Sequence, residues 1–343
     1  MKTFIYACVL GLLITPVWGQ SSLNQALPLL QQQTRTAQQT MQVLALFSTS
    51  QDNNLIFATG ASLVKLPPTK AAEPTLLNNI LRASNPLRTS FSAIILTAMG
   101  SMYEELTPIL LDSLQNPDTT LRAYAAGAYA LVEPTDTTYL QDIIRLYIFD
   151  PALAQRALHL VAPSSKEQLA ALKKAITNPD AQVRSAAAAW LGKLHTQPAV
   201  NILLKRAKTE QDPSVQTQLA TALAASADQA LEGTVKGLRT SYTKPTSATY
   251  ALALGFMTGT SIEALKNAIT TGNQNQRINA TRAAAYMAGI LSNPDGFAYS
   301  SDRKFDTLLL KGLITPISAL AQSGTADEQK YAKHALAQLE KLM

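Results

Sequence analysis

The sequence is nearly free of cysteine, and this absence excludes several kinds of chemistry. Cys8 is the only cysteine among 343 residues, and it lies in a leader that we expect to be cleaved. The mature chain therefore has no disulfide, no thiolate nucleophile and no cysteine metal site. Its stability has to come from the core that it buries.

Charged residues are also scarce, at 15% of the chain, and their balance is only mildly basic. The formal charge is +6, and removal of Lys2 with the leader lowers it to +5. A nucleic-acid-binding protein usually carries a dense stripe of lysine and arginine, which is missing here. We therefore predict no nucleic-acid partner.

Histidine is rare, and no arrangement of residues suggests catalysis. The three histidines are His159, His195 and His334, and none has a histidine or carboxylate three or four residues later that could complete a helical metal site. The sequence also has no G-x-S-x-G, P-loop or G-x-G-x-x-G motif. We predict a protein that is not an enzyme, with no catalytic residues, no metal ligands and no cofactor.

The first nineteen residues have the pattern of a secretory signal peptide. Lys2 supplies the positive start, residues 4–14 form an apolar core, and Gly19 ends a plausible cleavage site. The apolar run is too short to span a bilayer comfortably. We predict cleavage after residue 19, export to the periplasm or the outside of a bacterial cell, and no transmembrane segment in the mature chain.

One stretch, NPDAQVRSAAAAWLGKL at residues 178–194, defines the organisation of the rest. Pro179 and Asp180 are typical of a helix start, and the apolar residues Val183, Ala187, Trp190, Leu191 and Leu194 fall on one face of that helix. The run of alanines at 186–189 would let neighbouring helices approach closely. The stretch predicts a turn followed by a helix packed on both sides.

This stretch recurs along most of the chain. Similar stretches begin at six residues that we call markers: Asp118, Asp150, Asp180, Asp212, Thr243 and Asn275. The intervals between successive markers are 32, 30, 32, 31 and 32 residues, and upstream copies begin at Asp52 and Asn85. A second helical pattern, such as KEQLAALKKAIT or PAVNILLKRAKT, lies between successive markers. A period near 32 that contains two helices indicates stacked helix pairs.

The predicted fold is all-α, an α-solenoid of about eight or nine antiparallel helix pairs that form a right-handed superhelix. We call the two members of a pair the first and second helix, the second being the one that follows a marker, and we expect the first helices on the convex side. Residues 20–50 are predicted to cap the array, and residues 51–343 to form it. Residues 292–306 depart from the period and are predicted to be an inserted loop.

Two repeats carry a shared core, D-x-x-[VL]-R-x-x-A-A. Asp118, Leu121, Arg122, Ala125 and Ala126 form it in one copy, and Asp180, Val183, Arg184, Ala187 and Ala188 in the other. This core resembles the HEAT family, specifically the short HEAT-like repeat of phycobilisome lyases. The resemblance implies the solenoid fold, and HEAT arrays serve many different functions. We expect the aspartate to cap its helix and the arginine to bridge neighbouring repeats.

A row of lysines is the first candidate for a binding surface. Lys173, Lys205, Lys236 and Lys266 occupy one position of four successive first helices, at intervals of 32, 31 and 30 residues. Stacked helices lie roughly 10 Å apart, so the row would be about 30 Å long and could face an anionic surface. The alternative is that these lysines are only solvated, because lysine is favoured near a helix C-terminus.

The inserted loop is the second candidate. Phe297, Tyr299 and Phe305 offer apolar contact area, and Arg303 offers directional pairing, a mixture typical of interface anchors. The alternative is that the aromatic residues fold back and seal the groove between the last repeats.

These observations predict an exported, non-enzymatic scaffold or adaptor that binds another protein. One alternative is an envelope assembly factor that binds anionic lipid or polysaccharide through the lysines. The other is an enzyme like the lyases that share the short repeat. The sequence leaves the identity of the partner open.

Overall fold

A computed structural model describes residues 26–101, 103–292 and 303–342, with side chains in the last range from residue 306 onward. The described residues form α-helices joined by short turns, three 3-10 turns among them, and contain no strand. The all-α solenoid class predicted from the repeats is therefore confirmed. The chain divides into two compact units, residues 1–171 and 172–343.

The first unit consists of helices that pack in consecutive pairs. Residues 26–30 are helical, and they are followed by α1 (Ala37–Thr49), α2 (Asn53–Lys65), α3 (Glu73–Arg82), α4 (Pro86–Ala98), α5 (Leu106–Ser113), α6 (Thr119–Val132), α7 (Leu140–Leu146) and α8 (Pro151–Val161). Each odd-numbered helix packs against the even-numbered helix that follows it, and α2, α4, α6 and α8 also pack against one another in order. The second helices thus form a continuous stack.

The second unit repeats this arrangement. Residues 172–175 complete α9 (Ser165–Ala175), and the later helices are α10 (Ala181–Leu194), α11 (Gln197–Ala207), α12 (Pro213–Ala225), α13 (Ala227–Gly237), α14 (Thr246–Phe256), α15 (Ile262–Thr271), α16 (Gln274–Ser292), α17 (Arg303–Lys311), α18 (Ile314–Ser323) and α19 (Ala326–Leu339). The stack of second helices here runs through α10, α12, α14, α16 and α19. Helix α17 stands outside the pairing.

Aspartate side chains cap most of the second helices, as the markers predicted. The carboxylates of Asp52, Asp118, Asp150, Asp180 and Asp212 each accept a backbone N–H from the first turn of the helix that follows. Such caps satisfy donors that would otherwise lack a partner.

Thr243 and Asn275, the last two markers, do not cap the helices that follow them. Helix α14 begins at Thr246 without a side-chain cap, so Thr243 does not start it. In α16 the backbone N–H of Gln276 bonds to the side chain of Asn273, while Asn275 lies inside the helix. The period therefore located these two helices, but it misplaced their starts by a few residues.

Small residues allow the second helices to approach closely. Ala186, Ala187 and Ala188 in α10 are completely buried, as predicted from the alanine run. A methyl group added to Gly192 would lie 2.8 Å from the Cα of Ala222 in α12, so a side chain larger than hydrogen would meet backbone there. Packing at this density is sensitive to single methyl groups.

The predicted loop at 292–306 overlaps two helices. Helix α16 includes Ser292 and α17 begins at Arg303, and residues 293–302 lie outside the described ranges. Helix α17 packs on α16 and on the 3-10 turn Thr258–Ser261, while α19 takes the next place in the stack. The insertion therefore leaves the order of second helices intact. The handedness, the convex placement of the first helices and a single array through both units stay predictions.

Candidate functional site

The arginine of the repeat core joins successive helix pairs. Arg184 in α10 donates from Nε to Oε2 of Glu210 at 2.9 Å and from Nη2 to Oε1 at 3.1 Å. Its Nη1 donates to the carbonyl oxygens of Asn178 and Pro179, both at 2.8 Å. The planar guanidinium thus connects the turn before α10 to the turn before α12.

Glu210 is the acceptor at the centre of this link and is almost fully buried. It also accepts from Nε of Arg206 at 2.8 Å and from the backbone N–H of Asp212 at 2.9 Å. Burial raises the pKa of its carboxyl, but the bonds from Arg184, the Asp212 backbone and Arg206 outweigh burial and hold the pKa below its ordinary value. The carboxylate is therefore ionised and fully paired, and has no capacity left for a ligand.

The same link occurs twice more. In the first unit, Arg122 Nε lies 3.2 Å from Oδ1 of Asp142, and in the second unit Arg277 Nε lies 2.5 Å from Oε1 of Glu328. Arg122 and Arg277 also bond back to a carbonyl oxygen of the preceding turn, as Arg184 does. The prediction that the core arginine bridges neighbouring repeats is confirmed, and these ion pairs are structural. Spacing alone did not identify the carboxylate partners, because they do not recur at one position of the repeat.

The four lysines of the row lie on α9, α11, α13 and α15, and all are exposed. Lys173, Lys205 and Lys236 are in the last turn of their helices, whereas Lys266 lies in the middle of α15. Lys236 pairs with Glu232 of its own helix at 2.5 Å. Within the described residues, Lys173, Lys205 and Lys266 have no carboxylate at ion-pair distance. Three of the four charges are thus available for an anion.

The candidate residues of the late insertion lie outside the parts of the chain whose side chains are described. Phe297 and Tyr299 lie outside the described residues, while Arg303 and Phe305 are in the first turn of α17 with side chains outside the description. Their contribution to binding stays a prediction from sequence.

The three histidines are exposed. In the described ranges no group of three or more potential ligands could hold a metal ion, and no helix is long and apolar enough to cross a membrane.

One cavity of about 450 Å³ lies in the second unit. Its wall includes His195, Asp228, Thr258, Thr260 and Asp306. His195 and Thr258 have left-handed backbone conformations, with φ of 47° and 45°. The sequence gave no sign of this cavity, because its wall combines three successive helix junctions of the array with Asp306 of α17, which stands outside the repeat.

Comparisons with known proteins agree with the repeat analysis. Residues 145–224 match a family model described as HEAT repeats. This match confirms the resemblance that the core around Asp180 suggested, while the phycobilisome-lyase subtype stays a prediction. A comparison with curated protein sequences finds no significant match.

Among solved structures, the crystal structure of Kap121p is similar over 92% of this chain and 43% of that chain, at 14% identity and a TM-score of 0.36. The chain thus spans less than half the length of that structure. A likeness this distant supports no argument about function.

Proposed function

The chain contains HEAT repeats, and we propose that it is an exported, non-enzymatic scaffold that binds an acidic segment of another protein along the lysine row. Stacked helix pairs expose a long regular surface, and HEAT arrays commonly use such surfaces for protein binding. The signal-peptide pattern at residues 1–19 supports export. The absence of catalytic motifs from the sequence supports a binding role.

The observation that carries the proposal is the exposure of one lysine of the row on each of four successive first helices. Three of these lysines have no carboxylate partner among the described residues. A row of exposed cations, three of the four without a carboxylate partner, raises the local concentration of an anionic partner and accelerates its association. A periodic row fits an extended partner better than a compact one, because each repeat adds one equivalent contact.

The proposal can be tested with a charge-reversal variant and a matched control. In the test variant, Lys173, Lys205, Lys236 and Lys266 are all replaced by glutamate. The control carries the same charge change at four exposed lysines outside the first helices α9, α11, α13 and α15, namely Lys70, Lys193, Lys333 and Lys341. Each protein is used to capture partners from the exported fraction of the source cells, and binding of the captured protein is then measured directly at low and high salt.

We expect the unmodified protein and the control to bind the same acidic protein, the row variant to lose that binding, and high salt to weaken it. Equal binding by the row variant would show that the lysines are only solvated. Binding to anionic vesicles or acidic polysaccharide, without any protein partner, would favour the envelope assembly alternative. A pigmented ligand that co-purifies with the protein would favour the lyase-like alternative.

A further inference from the structure

Two further cations lie beside the lysine row, at the ends of the first helices α11 and α13. Lys208 follows Lys205 by three residues, and Arg239 follows Lys236 by three. We call Lys208 and Arg239 the flanking cations, and both are exposed to solvent. The same pair of cations, three residues apart, therefore occurs in two successive repeats.

The backbone places each flanking cation one turn beyond its row lysine. Lys208 is the C-cap residue of α11 and keeps a helical backbone, with φ of −71° and ψ of −21°. The backbone N–H of Arg239 donates to the carbonyl oxygen of Lys236 at 3.2 Å, so a turn of helical type continues past the end of α13. Residues three apart on a helix are neighbours, with Cβ atoms roughly 5–6 Å apart. Each helix end thus presents two cations side by side.

Helices α11 and α13 are in direct contact with each other. A Cβ atom added to Gly233 in α13 would clash with Cδ1 of Leu204 in α11, so the two helices approach closely at this point. Lys205 directly follows Leu204, and Lys236 lies one turn after Gly233. The two row lysines and the two flanking cations therefore form one group, which we call the cation cluster.

One exposed carboxylate accompanies the cation cluster. Glu232 lies 2.5 Å from Nζ of Lys236, while within the described residues Lys205, Lys208 and Arg239 have no carboxylate at ion-pair distance. The dipole of each helix favours cations at its C-terminal end, but like charges three residues apart repel each other. An anionic partner that neutralises both cations of a pair would relieve this repulsion.

The two outer lysines of the row lack such a neighbour. Three residues after Lys173 and Lys266 the chain has buried isoleucines, Ile176 and Ile269. The doubling of charge at this spacing is thus a property of α11 and α13 within the row. We therefore expect an anionic partner to bind most strongly there.

The arrangement of the cation cluster suits an extended chain of acidic residues. Stacked helices lie roughly 10 Å apart, and an extended polypeptide advances about 3.3 Å per residue, so about three residues lead from α11 to α13. Successive side chains of an extended polypeptide point to opposite sides. Neighbouring acidic side chains can therefore reach the row lysine and the flanking cation of one helix end.

We infer that the cation cluster is the centre of the binding surface, and that its occupant is a run of consecutive acidic residues of a partner polypeptide, bound in extended form across the ends of α11 and α13. This inference rests on the proposed function and adds the flanking cations to the site. Glu232 competes with the partner for Lys236 and lowers the affinity.

The probe is acetyl-hexaglutamate amide, with the matched hexaglutamine peptide as the uncharged comparison. Binding to the unmodified protein is measured by titration calorimetry at low salt. The flanking variant, Lys208→Ala/Arg239→Ala, should bind hexaglutamate about threefold or more weakly, and the row variant Lys205→Ala/Lys236→Ala should lose a similar factor, because each exposed ion pair contributes modestly. The control, Lys193→Ala/Lys333→Ala, removes two exposed lysines of the second helices α10 and α19 and should keep the unmodified affinity.

A gain of affinity gives a test that a poorly folded variant cannot imitate. Glu232→Gln removes the carboxylate that pairs with Lys236, so it should bind hexaglutamate about twofold or more tightly than the unmodified protein. Circular dichroism of every variant checks that its helix content is unchanged.

The possible failures are distinguishable. If the unmodified protein bound hexaglutamate no better than hexaglutamine, the proposed function would fail, and this inference with it. A loss in the row variant, with unchanged affinity in the flanking and Glu232→Gln variants, would overturn only this inference. An equal loss in the control would show an effect of net charge and would also overturn it. Tighter binding of a six-unit oligogalacturonate, lost in the flanking variant, would assign the cluster to an acidic polysaccharide and overturn the choice of a polypeptide.

Discussion

Arg184 and Glu210 form a two-pronged ion pair across 26 residues of sequence, with N–O distances of 2.9 and 3.1 Å. Arg184 belongs to one second helix, and Glu210 lies in the turn that leads into the next. Both side chains are largely removed from solvent. The pair therefore links one helix pair to the next by a buried polar contact in addition to the apolar core.

Loss of this pair should destabilise the second unit. Replacing Glu210 by glutamine leaves the Arg184 guanidinium buried without its counter-charge, and removal of one partner of a buried pair typically costs about 3–5 kcal/mol. The free energy of unfolding, measured with urea, gives the loss. Glu232→Gln is the matched control, because the Glu232–Lys236 pair is exposed to solvent and contributes little to stability. Similar losses in both variants would contradict the special role of Glu210.

Stability should decline in acid because of Glu210 and Glu328. For Glu328, burial raises the pKa, but bonds from the Thr325 backbone and Arg277 outweigh burial, and the pKa is lowered as it is for Glu210. A lowered pKa contributes stability that is complete above the unfolded-state pKa, about 4.3, and is lost as the pH falls through the folded-state pKa.

The melting temperature of the unmodified protein should therefore fall steeply below about pH 4.3, and the Glu210→Gln/Glu328→Gln double variant should show a smaller fall over the same range. Parallel curves for the two proteins would show that other carboxylates control the acid response.

Packing between α10 and α12 should tolerate neither added nor lost volume. Ala187→Leu adds an isobutyl group at a fully buried position and should cost about 1–3 kcal/mol, while Leu191→Ala leaves a cavity and should cost about 2–5 kcal/mol. Gly192→Ala should also destabilise, since its methyl group meets the backbone of Ala222. Thermal unfolding checks all three. Unchanged melting of Ala187→Leu and Leu191→Ala would mean that α10 buries a different face.

The sequence predicted the part of the fold that repeats. Apolar spacing and capping aspartates such as Asp118 and Asp180 act locally, so a period in the sequence becomes a period in the structure. Features that depend on contacts between distant residues were not predicted. Glu210 and Glu328 lie 26 and 51 residues from their arginines. The cavity at Asp306 is formed where α17 interrupts the period, and no pattern in one helix could reveal it.

The last link of the second unit gives a prediction about local stability. Arg277 at the start of α16 bonds to Glu328 in the first turn of α19, so the pair spans the insertion. Nearby, Gln274 donates to the hydroxyl of Thr325 at 3.1 Å and Tyr242 donates to Asp327. Helix α19 is thus tied to the stack by polar bonds at its N-terminal end.

In a repeat array a terminal repeat can unfold locally while the other repeats stay folded, because each repeat contacts only its neighbours. Glu328→Gln should therefore accelerate amide hydrogen exchange in α18 and α19 while exchange in α10 and α12 keeps its unmodified rate. Glu210→Gln, in the interior of the same unit, should accelerate exchange in α10, α11 and α12. Mass spectrometry of peptides from residues 181–194 and 326–339 distinguishes the two patterns. Equal acceleration of exchange in both peptides by Glu328→Gln would contradict this prediction. It would mean that the second unit unfolds as one cooperative block, and that the Arg277–Glu328 pair stabilises the whole unit and not only its last helix pair.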